Sequence, residues 1–523
     1  MTTVLPTRRS IALAFLVFAV TVGCRWLIRF DGFGEHDQAR FLCDAILYRY
    51  EGAGIFRKYF LITSPLALVA FSALDAVAGH DALLPLSNAL AVLASGVTAV
   101  AAYRVALALV GRPRWAASAT VGATAVPGVF FTSLYGYPSA YALALLATSA
   151  AALAAGVTAE TARARRVGLA ACAAAFAAAV LCKTDFALMG TWLLALALQC
   201  GRREDRARNV VFLVALAAAT AALTYGAAAL LVRDAHAPLQ FGRGWVEDYE
   251  PYAGRYDAFP ILQAAGRGTF VLLCAGGVLV ALKRGAREGA MLLAACLLSA
   301  GPLWCFWASI PPLSIRHCLP GALVAGLYAG VAAAKAFPRA RALAVLWPAL
   351  LVAGNWWGRP SFDLNYHLSG NLLGQYRTNR AAFAAARRVA GEIAADPRPV
   401  QVWVGRPASP AILGRIDVIE MVRYRLACGA VEVRNSLPGR SEYDLYARRP
   451  DGSERFLFDA RVDGGTHATS FLARTRYPKE QYHFLSMTLD HAPAVEALGV
   501  PLTRYDLRAA FEGKTAAVPP ARQ

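Results

Sequence analysis

The sequence predicts an all-α polytopic membrane domain of about eleven transmembrane helices with extracytoplasmic juxtamembrane helices, followed by a C-terminal extracytoplasmic α/β or α+β domain. Three observations predict it. Of the 523 residues, 57% are hydrophobic and the mean hydropathy is +0.43, too apolar for a soluble chain of this size. Ala/Leu/Val runs of bilayer-crossing length recur down to about residue 357. Charges collect between those runs, with Arg104 the one charge singled out inside them, and polar composition returns over 358–523.

Twelve apolar runs lie near 11–30, 60–79, 84–110, 115–133, 138–158, 167–182, 185–200, 209–232, 263–282, 289–309, 317–334 and 342–357. The first follows Arg8-Arg9, is about 20 residues long and lacks a small-residue cleavage site, which favours an uncleaved span over a signal peptide. Six basic segments separate the runs: Arg8-Arg9; Arg112 with Arg114; Arg163 with Arg165-Arg166; 202–208; Lys283-Arg284 with Arg287; and Lys335 with Arg339 and Arg341. They hold seventeen basic residues against four acids, so +13 of the net +19 is loop charge. Lys and Arg concentrated in short loops fix membrane orientation, with those loops cytoplasmic, and imply no nucleic-acid partner. Twelve crossings would put Arg8-Arg9 and the later basic segments on opposite sides. Run 60–79 is the one to withdraw, because it carries Pro65 and Asp75 and its neighbour is long enough to cross alone. Eleven spans then put all six segments on one side.

The resulting organisation is a transmembrane domain over 1–357, with extracytoplasmic loops at 31–83 and 233–262, and a soluble extracytoplasmic domain over 358–523. In the latter, Val400–Val404 and 456–458 alternate like strands and 381–395 reads as a helix. No internal repeat is visible, and the Ala-rich helices suit close packing in lipid. The ten cysteines are scattered, without CxxC spacing, and read as small buried hydrophobes, not as disulfides or a zinc site. Few Lys relative to Arg, with much Ala, suggests a high-GC bacterium and hence its inner membrane.

This topology places all eight histidines, Lys183 and Arg316 on the outer face, where Glu35-His36-Asp37 follows the first span. A carboxylate at that depth is costly unless it does chemistry or binds something. Asp37, Arg40 and Asp44 fall at i, i+3 and i+7 of a helix, one face. Beside a cation such a carboxylate serves as general base or metal ligand; a salt-bridged juxtamembrane helix is the alternative. Lys183 and Arg316 sit at tight turns between spans, and Arg57 and Lys58 lie in the first loop; headgroup pairing is the alternative for each. The loop 240–252, with Arg243 and Trp245, suits sugar stacking or an interfacial aromatic belt equally. His36 and His317 are open between metal ligand, acid/base group and neither.

The order of these elements over about 10–357 resembles the GT-C superfamily of integral-membrane glycosyltransferases, which includes protein O-mannosyltransferases and the aminoarabinose transferases that modify lipid A. Glu35 and Asp37 stand where that family keeps its acidic motif. Thr63-Ser64-Pro65-Leu66 resembles the start of its juxtamembrane helix, and Tyr135-Gly136-Tyr137-Pro138 its second external turn. Lys183 resembles a basic residue in its third, and Arg316-His317-Cys318-Leu319-Pro320 its Arg-aromatic-x-x-Pro pattern. Two departures stand out: His36 separates the acids, and the family's Lys-Gly-Pro is Lys183-Thr184-Asp185.

The resemblance implies inverting transfer of a sugar from a polyprenyl-phosphate donor to a lipid, polysaccharide or protein acceptor. Asp37 would be the general base beside Glu35. Arg40, Arg57, Lys58, Tyr137, Lys183, Arg243, Trp245, Arg316 and His317 would bind substrate, and a divalent cation (Mg or Mn), where one is used, would rest on Glu35 and Asp37. Two other readings are a catalytically inactive scaffold binding lipid or partners, and a transporter of lipid-linked sugars. The lack of repeats and of mid-helix charges argues against transport.

Overall fold

A computed structural model describes residues 8–29, 38, 41–42, 44–46, 48, 60–236, 238–240, 259–308 and 315–356, together with six strands of the C-terminal part. The chain enters through α1 (Arg8–Ile28) and α2 (Pro65–Ala78), followed by α3 (His80–Val110), α4 (Pro113–Thr124) and α5 (Pro127–Thr132). Then come α6 (Pro138–Thr158), α7 (Ala162–Cys182), a 3₁₀ turn at Thr184–Met189, α8 (Gly190–Cys200), a second at Arg203–Asp205 and α9 (Arg206–Val232). The last helices are α10 (Phe259–Ala265), α11 (Arg267–Arg284), α12 (Ala286–Ala308), α13 (Leu319–Ala336) behind the 3₁₀ turn Ile315–Cys318, and α14 (Arg341–Trp356).

Among the described residues, seven helices are long and apolar enough to cross a membrane, which makes this a multi-pass membrane protein. Of the roughly eleven crossings expected, these seven are single long helices among the described residues, and the other apolar runs are shorter or broken. Run 115–133 is split into α4 and α5 because Pro127 must begin a new helix, having no N–H for the old one. Run 263–282 breaks at Gly266, whose φ of +83° only glycine adopts freely; Asn355 of α14 then accepts from the Thr269 N–H at 2.8 Å and caps α11. Run 185–200 begins as a 3₁₀ turn, and α14 is 16 residues long. Run 60–79 yields a 14-residue helix, α2, which at 1.5 Å per residue is about 21 Å long, shorter than a hydrocarbon core of about 30 Å.

The core is one continuous cluster around α13, whose Ala/Gly-rich sequence lets α4, α11 and α12 close on it from several sides. Large apolar side chains such as Leu27, Val211, Leu230, Leu282 and Val345 point outward instead. An apolar exterior around a packed interior is what a lipid solvent permits.

One charge in the spans went unread in the sequence. Arg25 of α1 is buried, donating from Nε to Ser133 Oγ at 2.5 Å and from its two terminal nitrogens to the carbonyls of Thr124 at 2.5 Å and Thr21 at 3.3 Å. The guanidinium thus serves the C-terminal ends of α4 and α5, where the Thr124 carbonyl is past the last intrahelical donor and Ser133 Oγ accepts from Arg25 while donating to the Phe130 carbonyl at 2.7 Å.

In the C-terminal part the strands form a mixed sheet of order β2-β3-β4-β1-β5-β6, from β1 (Val400–Val404), β2 (Glu432–Arg434), β3 (Leu445–Arg448), β4 (Glu454–Val462), β5 (Thr503–Asp506) and β6 (Ala517–Val518). β1 runs parallel to β4 and β5, and β2-β3-β4 is an antiparallel meander. Both strands expected from alternation exist as β1 and β4, whereas the expected helix at 381–395 lies outside the described residues. All eight cysteines among the described residues are free.

Candidate active site at one end of the bundle

Two ends of the bundle have opposite chemistry. At one end the basic segments come together: Arg165 pairs with Asp205 at 2.6 Å, Lys283 donates to the Ala336 carbonyl at 3.2 Å, and Arg112 donates to the Pro338 carbonyl. From that end α7 leads to Lys183, α6 leads back to Tyr137 and α13 leads back to His317. With 21, 21 and 18 residues, these helices separate the two ends by roughly 27–32 Å.

Lys183 caps α7 in an extended conformation, and its carbonyl accepts from the Phe186 N–H at 3.0 Å, starting the 3₁₀ turn. Buried Phe186 and Met189 anchor that turn. Its Asp185 meets Lys183 Nζ at 3.8 Å through Oδ1 and His317 Nδ1 at 3.5 Å through Oδ2. The Trp307 ring, at the end of α12, lies against the imidazole with centroids 3.8 Å apart and planes 32° apart. Arg316, next to His317 and 5% exposed, holds its guanidinium carbon 5.0 Å above the centre of the Tyr137 ring. Leu319-Pro320 follow at once, proline being tolerated in the first turn of α13.

Tyr137 is fixed from below. Asn88 Oδ1 accepts from the Gly136 N–H at 2.9 Å and from Gln38 Nε2 at 2.6 Å, while the Tyr141 hydroxyl donates to the Ser87 carbonyl at 2.8 Å. A Cβ at position 136 would sit 2.5 Å from the Ser87 backbone carbon, so only glycine lets this turn lie on α3. Tyr137 packs edge-on to Phe41, which in turn meets Phe60 at 5.3 Å and Phe71 at 5.4 Å.

The structure therefore brings together Tyr137, Lys183, Arg316 and His317, four of the residues singled out in the sequence. Glu35, Asp37, Arg40, Arg57, Lys58, Arg243 and Trp245 lie outside the described residues, as does His36. Asp44 is buried beside Phe41 and Leu42 on the helical segment. Asp185 and Trp307 are additions: Asp185 was noted only as a departure from a motif, and Trp307 reads as one more aromatic in an apolar run.

This cluster is electrostatically incomplete. Both Asp185 oxygens and His317 Nδ1 are shielded from solvent, yet none makes a hydrogen bond of good geometry among the described residues. They meet instead as ion-pair contacts, Asp185 with Lys183 at 3.8 Å and with His317 at 3.5 Å. Lys183 and Arg316 put two buried cations at this end of the bundle, an arrangement that suits an anion. The same pair repels a divalent cation, and no three His, Cys, Asp or Glu side chains among the described residues converge as metal ligands.

No protein-family model matches this chain, and no curated protein matches it either. Among solved structures it is similar to the crystal structure of ArnT from Cupriavidus metallidurans bound to undecaprenyl phosphate, with 16% identity, a TM-score of 0.42 and coverage of 80% of this chain and 76% of that one. The apo form of that protein aligns with a TM-score of 0.40 at the same identity and coverage.

Proposed function

We propose that this protein is an integral-membrane glycosyltransferase of the GT-C kind, which moves a sugar from a polyprenyl-phosphate donor to an extracytoplasmic hydroxyl acceptor with inversion. The observation that carries the reading is the convergence of Lys183 and Arg316, buried, with Asp185, His317 and Tyr137 at the end of the bundle opposite the basic loops. In the reaction the acceptor oxygen bonds to the anomeric carbon as the bond from that carbon to the phosphate oxygen breaks. The acceptor proton passes to Asp37, and polyprenyl phosphate leaves.

Negative charge grows on that phosphate, and fixed cations in a water-poor site lower its energy. Arg316 suits this role because its planar fork binds phosphate bidentately, and the Tyr137 ring beneath restricts its orientation. Lys183 supplies a second charge, tethered by Asp185, and His317 is held between Asp185 and Trp307. For Asp37 the support is indirect: Gln38, its neighbour in sequence, is bound to the same Asn88 that holds the Tyr137 turn. A Mg or Mn ion, where used, has its ligands in Glu35 and Asp37. Arg40, Arg57 and Lys58 are further phosphate contacts in this reading, with Arg243 and Trp245 for the sugar.

The same reading keeps eleven crossings, with the shorter α4–α5, Thr184–Cys200, α11 and α14 segments crossing between the seven long helices. The N-terminus is then cytoplasmic, and the C-terminal domain lies outside the bacterial inner membrane. The test is transfer of labelled sugar from polyprenyl-phosphate donors by the purified protein in lipid, comparing wild type with Asp37→Asn and Arg316→Gln, each checked for monodispersity. Loss of about 10²–10³-fold in kcat/KM is expected for Arg316→Gln. Wild-type rates in a folded variant would remove that residue from the mechanism, and no transfer from any such donor by wild type would overturn the reading.

A further inference from the structure

At the basic end of the bundle, away from the site above, lies a recess of about 230 Å³ lined by Arg9, Arg112, Arg114 and Arg341, with Trp115 and Pro338 in its wall. These four arginines come from three of the six basic segments, and none of the recess's lining residues is acidic. None of the four makes an ion pair with another described residue. Two helices, α4 and α14, start here without an acid in their first turns, and Arg112 is itself the N-cap of α4 with no side-chain cap bond.

This arrangement is unfavourable on its own. Helix starts carry partial positive charge and prefer acids, yet here they carry arginines, and those arginines share one concavity. Orienting the chain in the membrane requires basic residues in the loops. It does not require three loops to aim them into a common recess. The Arg112 donation to the Pro338 carbonyl ties the α3–α4 turn to the α13–α14 turn and so holds the recess open-sided between helices. Its size is below the ~300–1,000 Å³ of sites for drug-sized molecules and fits a compact anionic group.

We propose that the recess is a binding site for the phosphate headgroup of an anionic lipid from the adjoining leaflet. Several donors in fork geometry suit phosphate oxygens, Trp115 and Pro338 close the wall, and exposed Val345 and Leu346 of α14 give acyl chains an apolar flank. A lipid is favoured over a soluble phosphate ester because the recess opens at the ends of membrane-crossing helices, where anionic headgroups are concentrated. The site does not depend on the transferase reading and stands or falls separately from it.

The test uses the full-length purified protein in neutral detergent, following its thermal midpoint while phosphatidylglycerol, cardiolipin, phosphatidylcholine or inorganic phosphate is titrated in. Wild type and the control Arg163→Gln/Arg166→Gln, whose removed charges lie in another basic segment, should be stabilised by the two anionic lipids and not by phosphatidylcholine. In Arg114→Gln/Arg341→Gln, which spares the Arg112 tie, the apparent affinity should fall roughly 30-fold, at about fivefold per basic residue. Arg114→Lys/Arg341→Lys keeps the charge and should recover part of the affinity. Equal stabilisation of all variants, or none in wild type, would overturn the site; protection by inorganic phosphate at lipid-like concentrations would overturn the lipid assignment.

Discussion

The Lys183–Asp185 contact can be tested by a double-mutant cycle. At 3.8 Å and an effective dielectric constant of about 20, the attraction is about 4 kcal/mol. Both groups are largely buried, so removing one leaves the other stranded, a loss of roughly 3–5 kcal/mol for buried pairs. His317 stays against Asp185 at 3.5 Å and softens that loss, so Lys183→Met and Asp185→Asn should each cost about 3 kcal/mol, at the low end of that range. The double variant loses both charges together, escapes the stranding penalty and should cost under about 2 kcal/mol. The coupling is then about 4 kcal/mol. Unfolding in mixed SDS micelles, followed by tryptophan fluorescence and helical dichroism, gives all four free energies. If the double variant loses the sum of the singles, or if the singles lose less than about 0.5 kcal/mol as exposed pairs do, the pair does not hold the site together.

Two further outcomes follow from the packing. Gly136→Ala drives a Cβ into the Ser87 backbone and strains the bond from the 136 N–H to Asn88; a loss of about 1–3 kcal/mol is expected, read as a lowered thermal midpoint together with weaker donor binding as the Tyr137 turn shifts. Arg25→Met leaves the Thr124 carbonyl unserved and takes one donor from Ser133 Oγ, which keeps its bond to the Phe130 carbonyl, and this should cost about 1–3 kcal/mol; Arg25→Lys, reaching one acceptor well but not three, should restore the midpoint only in part.

Much of the site was legible because tight turns between apolar spans are few, and a charge placed there is conspicuous. Lys183 and Arg316 stand out on that ground alone, and Tyr137 through the Gly-Tyr-Pro turn it belongs to. Asp185 escaped because a carboxylate two residues after a lysine reads as a local pair; its contact with His317 crosses from one 3₁₀ turn to another far along the chain. Arg25 escaped for a related reason. Near the end of its span it reads as a snorkelling residue, and nothing local announces that its partner Ser133 lies 108 residues away.

The sequence by itself determined that this chain is a multi-pass membrane protein, which loops gather the basic residues and which turns between apolar runs carry Lys183 and Arg316, because hydropathy and charge act on each segment separately. The short α2 was equally visible through Pro65. Only the tertiary structure decided where apolar runs break into paired helices, that Asn88 supports the Tyr137 turn, that Asp185 joins Lys183 to His317, and that arginines from three loops surround one recess. Those are relations between segments brought together by packing around α13, and no single segment contains them.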